Sequence, residues 1–239
     1  MIETALNKKT TFENLGLIDY KKAWDYQTTI FEKILAVKSS NRELPPDQQK
    51  QTDNHLLFCQ HPHVYTLGKT GKESNLLMKI DELNTIDATY YHINRGGDIT
   101  YHGPGQIVAY PIIDLENFFT DIHKYMRLLE EAVILTCQGY GINAGRIKGL
   151  TGVWVNPENE KDARKICAMG VKTSRWVTMH GLALNINTDL NYFKTIIPCG
   201  IDDKAVTSVS QELGRNVDFA QAENHLKKNI VDCFGMELL

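Results

Sequence analysis

Residues 55–113 contain four short runs, HLLFCQ (55–60), VYTLG (64–68), TYYHIN (89–94) and QIVAYPII (106–113). They are rich in β-branched and aromatic residues, and Gly, Pro and Asn separate them, which is how strands bounded by turns read. Similar runs recur as TGVWV (151–155), KICAMGV (165–171) and LALNIN (182–187). Helical periodicity brackets this region. Ala23, Tyr26, Ile30, Ile34 and Val37 recur at spacings of three and four from a start near Tyr20, predicting a helix with that face on the core. Asp121 reads as the N-cap of a second helix, with Ile122, Met126, Leu129, Val133 and Cys137 on one stripe and Gly139 at its end. Asp218 caps a last helix carrying Leu226, Ile230 and Phe234. This order predicts an α+β fold, a mixed, largely antiparallel sheet flanked by helices. Residues 38–54, KSSNRELPPDQQKQTDN, are polar, contain Pro45-Pro46 and show no period, so an exposed loop is expected there.

A chain of 239 residues is long enough for one sizeable core, and 42% hydrophobic with 23% charged residues excludes disordered, collagen-like and coiled-coil classes. Lys and Arg number 26 against 29 Asp and Glu, so no global charge favours a nucleic-acid or anionic membrane partner. The first twenty residues have no apolar stretch of signal-peptide length, and no window approaches the ~20 apolar residues of a membrane span. A cytoplasmic location follows as the expectation. The five cysteines, at 59, 137, 167, 199 and 233, are odd in number and never closer than 30 residues, which implies neither a disulfide framework nor a zinc knuckle.

The densest unusual segment is RGGDITYHGPGQ (95–106), with four glycines, a proline, an arginine and two titratable side chains. Glycines let backbone approach a ligand closely and present N–H groups to it. The spacing fits neither a phosphate loop nor a dinucleotide fingerprint, and a tight hairpin connection is the simpler alternative. Cys199, in IIPCGI (196–201), lies between a proline and a glycine, whereas Cys59, Cys137 and Cys167 sit in apolar runs that suit buried thiols. A thiol with a free pKa of about 8.5 needs a nearby cation or base to act as a nucleophile. Lys165, His102 and His180 are the candidates. Lys165 opens an apolar run, where its ammonium must either meet an anion or snorkel to water. His61 and His63 resemble a metal pair only superficially, and no metal is expected. His180-Gly181 stands just before an apolar strand, again where backbone could face a ligand. Residues 145–175 hold seven basic side chains (Arg146, Lys148, Lys161, Arg164, Lys165, Lys172, Arg175) against three acidic (Glu158, Glu160, Asp162), a basic island that could dock an acidic partner.

Taken together, HPHVYTLG (61–68), RGGDITYHGPGQIVAYPI (95–112), GVWV (152–155), KICAMGVKTSRWVTMHGLALNIN (165–187), IIPCGI (196–201) and AVTSVSQELG (205–214) closely resemble the octanoyltransferase family of lipoate synthesis, in the family's order. The resemblance implies the biotin and lipoate protein ligase catalytic fold, in one catalytic domain spanning 1–239 with its core at about 49–220 and a C-terminal helix at about 218–234. It implies transfer of an octanoyl group from octanoyl-acyl carrier protein to the lysine of lipoyl domains, the first step of endogenous protein lipoylation. The acceptors would be 2-oxoacid dehydrogenase E2 subunits and the glycine cleavage H protein. No ATP, metal or resident cofactor is implied, since phosphopantetheine arrives on the carrier. By the same resemblance Cys199 is the acyl-thioester nucleophile and Lys165 lowers its pKa and moves the proton. Arg95, Gly96, Gly97, Asp98, Ile99, Thr100, Tyr101 and His102 match the family's substrate-binding stretches, as do Ala168, Met169 and Gly170, and Gly181, Leu182 and Ala183. The alternatives are an ATP-dependent lipoate or biotin ligase, an amidotransferase that takes octanoyl from one lipoyl-domain protein to another through a cysteine thioester, and a non-catalytic acyl-binding module.

Overall fold

In the computed structural model, which describes residues 7–159, 161–197 and 205–239, the runs at 55–113 become four strands, with a fifth inside the glycine-rich segment. In chain order the elements are β1 (Lys9–Leu17), α1 (Tyr20–Asn41), β2 (His55–Gln60), β3 (Val64–Leu67), β4 (Thr89–His92), β5 (Ile99–His102) and β6 (Gln106–Ile112). Then follow α2 (Ile122–Gly139), β7 (Ala144–Ile147), β8 (Leu150–Val155), β9 (Arg164–Ser174), β10 (Val177–Asn185), β11 (Ala205–Val206), α3 (Val209–Leu213), α4 (Phe219–Phe234) and β12 (Glu237–Leu238). The main sheet runs β12-β1-β2-β6-β10-β9-β8-β7, with β11 beside β9. Pairing is antiparallel from β2 through β7 and parallel at β12–β1, β1–β2 and β9–β11, so the sheet is mixed and largely antiparallel. A second sheet, β4-β3-β5, packs its own cluster of Tyr65, Leu67, Leu83, Ile99 and Tyr101.

Helices cover both faces of the main sheet, which explains why β6 reads as a continuous apolar run rather than an alternating one. Val108, Tyr110 and Ile112 pack with Ala23, Ile30, Phe31 and Ile34 of α1, while Ile107 and Ala109 join Leu129, Val133, Leu226 and Ile230 of α2 and α4. Each such aliphatic side chain contributes about 1.5–3 kcal/mol when fully buried, so a one-residue register slip in β6 would exchange two cores at once. Asp121 and Asp218 cap α2 and α4 by accepting from the backbone N–H of Lys124 and Gln221. No helix of the described residues is long and apolar enough to cross a membrane.

Three expectations change. The first helix buries Tyr20, Ala23, Gln27, Ile30, Phe31 and Ile34; Tyr26 is exposed and donates to Glu13. Gln27 replaces it on the inner face because its amide oxygen accepts from the His180 N–H at 3.1 Å. The polar stretch 38–54 is not simply an exposed loop. It begins inside α1, and Lys38 pairs with buried Asp114 at 2.6 Å, an oxygen pair that Thr52 shares at 2.9 Å. Asn54 is buried and donates to the Lys9 carbonyl, so polarity here marks a hydrogen-bonded anchor. Finally, β1 was not expected from its mixed sequence; it forms because β2 offers it a parallel partner, and short β12 then pairs with its other side at Lys9 and Thr10.

Candidate active site

A cavity of about 470 Å³ opens between α1, the central strands and the β7–β8 turn. Its walls bring together Arg95, Gly96, Gly97, Asp98, Ile99, Thr100 and His102 from the glycine-rich segment, Ala168, Met169 and Gly170 from β9, and Gly181, Leu182 and Ala183 from β10. Lys165 lies on the same wall. Tyr101 does not. Its position in β5 turns it away from the cavity into the small sheet's core, where it is fully buried, stacks on Tyr192 with ring centroids 5.0 Å apart and shares a 2.7 Å hydrogen bond with His63 Nδ1. Cys199 falls outside the described residues, which resume at Ala205.

The three stretches meet because of Gly170. A Cβ there would stand 2.7 Å from the Gly96 carbonyl oxygen and 3.0 Å from Arg95 Cδ, so only glycine lets the segment lie flat on β9. The Gly96 N–H donates to the Val171 carbonyl at 2.9 Å, and the Arg95 guanidinium donates to the Thr66 carbonyl at 2.8 Å and its hydroxyl at 3.0 Å.

Lys165 reaches the cavity through a β-bulge. Val153 pairs with Cys167 and Trp154 with Lys165, leaving Ile166 as the extra residue of β9. Ile166 and Cys167 both enter the core beneath α2 and α4, while Lys165 and Ala168 both line the cavity. Strict alternation would have put Lys165 and Ala168 on opposite faces. Gly152 stands across the bulge at φ +108°, where a Cβ would come within 2.5 Å of the Cys167 carbonyl oxygen. Its N–H donates to Glu130, a fully buried carboxylate that also accepts from Arg127 at 2.6 Å and Arg146 at 2.9 Å. The Lys165 Nζ sits 4.6 Å from the centre of the Trp154 ring, a cation–π placement that holds it along the wall.

Toward α1 the cavity is a cluster of neutral rings. Burial, helped by neighbouring His61, pushes His102 down to about 3, and burial together with the Arg95 charge pushes His180 down to about 3. His61, behind them, is held at about 4 by burial. Its Nδ1–H donates to the Ile18 carbonyl at 2.8 Å, so Nε2 accepts from the Tyr110 hydroxyl, also at 2.8 Å, whereas half-buried His63 bonds to the Tyr101 hydroxyl at 2.7 Å. His180 is inside β10, which starts at Val177, and has φ +63°. Sequence reasoning did not single out Tyr20, Tyr110, Met126, Phe193 or Asn185 as cavity residues. Asn185 left a signal, a polar side chain within the apolar run LALNIN; the others look like any core residue.

The basic island also changes on folding. Arg164 makes two 2.9 Å bonds to Glu212, and Arg146 is spent on Glu130 and Glu131. Lys148, Lys161 and Arg175 remain exposed.

Residues 19–231 match the lipoyl protein ligase A/B catalytic domain family. An octanoyltransferase of Cytophaga hutchinsonii is 59% identical over 232 residues, covering 97% of this chain and 95% of its own. The chain belongs to the octanoyltransferase family. A second octanoyltransferase, from Christiangramia forsetii, is 56% identical over 98% of this chain and 99% of its own length. Among solved structures, a bipartite lipoate protein ligase studied with its E2 lipoyl domain, from Thermoplasma acidophilum, superposes with a TM-score of 0.68 at 15% identity, covering 98% of this chain and 85% of that one. The octanoyltransferase chain therefore has the lipoate ligase fold, with the mixed, largely antiparallel sheet derived above.

Proposed function

We propose that this enzyme moves an octanoyl group from an acyl carrier protein to the lysine amine of lipoyl domains through a thioester on Cys199, with no ATP, metal or resident cofactor. The observation that carries the reading is the bulge at Ile166, which turns Lys165 into the cavity that the three glycine-marked stretches enclose. Val206, seven residues past Cys199, pairs with Lys165 and lines the same cavity. The family's naming and the E2 lipoyl domain studied with the Thermoplasma ligase support lipoyl domains as the acceptor class, within which the proposed acceptors are 2-oxoacid dehydrogenase E2 subunits and the glycine cleavage H protein.

The steps balance with these two side chains alone. The Cys199 thiolate attacks the thioester carbonyl, the carbon–sulfur bond to phosphopantetheine breaks, and the Lys165 ammonium gives its proton to the departing sulfur. An octanoyl-Cys199 thioester and a neutral Lys165 amine remain. The acceptor amine then attacks the thioester, its proton passes to Lys165, and amide formation returns thiolate and ammonium. Exchange between thioesters is nearly isoenergetic and thioester to amide runs downhill, so no nucleotide is needed. The walls supply the rest. Val108, Leu150, Met169 and Leu182 give an apolar bed for the alkyl chain, and the backbone at Gly96, Gly97, Gly170 and Gly181 can approach the carbonyl.

The acidic carrier docks on the exposed Lys148 and Arg175, which lie toward the same end of β9, rather than on Arg164, which Glu212 already neutralises. Reversing those two charges raises the KM for carrier and flattens its salt dependence. The direct test is octanoylation of a lipoyl domain with octanoyl-carrier as sole donor. The expected result is transfer without ATP that Cys199→Ser reduces by at least about a thousandfold. Transfer that requires ATP and survives in the variant overturns the reading in favour of a ligase.

A further inference from the structure

Gln106 and Asn185 are buried polar side chains in the cavity wall, 1% and 3% exposed, and the reaction above uses neither. Their amides form a chain whose donors all point one way. His102 Nδ1 donates to Gln106 Oε1 at 2.8 Å, Gln106 Nε2 to Asn185 Oδ1 at 2.9 Å, and Asn185 Nδ2 to the Thr207 carbonyl at 2.9 Å. The Thr207 N–H then donates to the carbonyl of Lys165 at 2.9 Å. The amide orientations are fixed at each link, because Gln106 Nε2 also donates to the Tyr101 carbonyl at 3.2 Å and Thr207 offers only its carbonyl to Asn185. The chain starts in the glycine-rich segment, crosses β6 and β10, and ends on the backbone of the lysine. Thr207 is gripped from its far side as well, its hydroxyl donating at 2.6 Å to the Glu212 that holds Arg164. Such a run is cooperative, and loss of one member leaves buried groups on both sides without their partner.

We propose that Asn185 is a positioning residue of this enzyme: through Thr207 it fixes the backbone of Lys165 against the glycine-rich wall, so that the ammonium meets the reacting sulfur in one geometry. The proposal rests on the reading of Lys165 and Cys199 as the reacting pair. A residue that only stabilised the fold would change the unfolding midpoint and leave the chemistry of the folded enzyme alone.

The test is the rate of alkylation of Cys199 by iodoacetamide against pH, with single-turnover acylation from octanoyl-carrier, in the full-length enzyme. Asn185→Ala is expected to raise the midpoint of the alkylation profile by about one pH unit and to slow acylation about tenfold, with KM for carrier changed less than threefold. Asn185→Asp is the isosteric second variant. Its carboxylate still accepts from Gln106 but cannot donate to Thr207, so its rate relative to the parent should recover as the pH falls from about 8 to about 5 and the donor returns. If Lys165→Met shifts the profile and neither Asn185 variant does, the proposal is overturned while the pair stands. If Lys165→Met itself leaves the profile unmoved, the pair falls and the proposal with it.

Discussion

On its α1 side the cavity presents His102 and His180, both neutral and packed around the buried guanidinium of Arg95, whereas on its β8 side a bulge delivers a single lysine along the face of Trp154. The first region suppresses titration by burial and spends its polar atoms on fixed hydrogen bonds. The second makes one side chain available by breaking the regularity of a strand. The difference shows how one cavity can hold several neutral histidines beside one lysine, and under the proposed mechanism the rings would be wall and the amine reagent.

The largest expected effect breaks the second region. Lys165→Met should slow single-turnover acylation by at least about a thousandfold, whereas His180→Asn, on the other side, should cost less than about tenfold. Comparable losses in the two variants would end the division of labour. Next comes the support of the bulge. Glu130→Ala leaves the Gly152 N–H and Arg127 without this acceptor and Arg146 with only Glu131 and the Arg127 carbonyl, and since those arginines are partly solvated the loss should be about 2–3 kcal/mol in urea unfolding. Activity should fall with it, because Gly152 faces Lys165 across the bulge.

The histidine side is exposed by pH. His61, His102 and His180 have folded values of about 4, about 3 and about 3, below their ordinary 6.5. Above 6.5 folded and unfolded chains are both neutral there and stability is unaffected. Below it the unfolded chain takes up protons that the folded chain refuses, so stability falls as the pH drops from 6.5 toward 4. The Tm should decline over that window, and His102→Gln should decline less. A variant with an unchanged slope would show that another group carries the acid sensitivity. The smallest effect sharpens the lysine side. Trp154→Phe keeps a ring under Lys165 but weakens the cation–π contact by about 0.5 kcal/mol, for roughly a twofold change in acylation rate. The lost indole N–H is no penalty, as it has no hydrogen-bond partner among the described residues.

Much of this was legible in the sequence, and the reasons are local. Periodicity and caps placed α2 and α4, and β-branched runs placed the central strands, because those elements bury faces whose period the chain must repeat. β1 was not legible, since its mixed sequence carries no strand pattern and it is held by pairing with β2 and β12. The anchor at Lys38, Thr52 and Asn54 read as loop because polarity in sequence does not reveal a buried acceptor such as Asp114. In the site, the glycine-dense stretches do stand around one cavity, but Tyr101, which the sequence groups with its neighbours, is turned away by strand alternation. The bulge was hidden too: nothing in KICAMGV announces that Ile166 is the extra residue, and without it Lys165 would have been assigned to the opposite face.

The central claim is that the acyl group passes through a covalent bond to the chain with no nucleotide, and the intact mass of the enzyme after mixing with octanoyl-carrier in the absence of ATP tests it most directly. The account predicts an octanoyl adduct that hydroxylamine removes, that is missing from Cys199→Ser as a thioester, and that forms far more slowly in Lys165→Met. An unmodified chain that nonetheless octanoylates a lipoyl domain once ATP is added would contradict it.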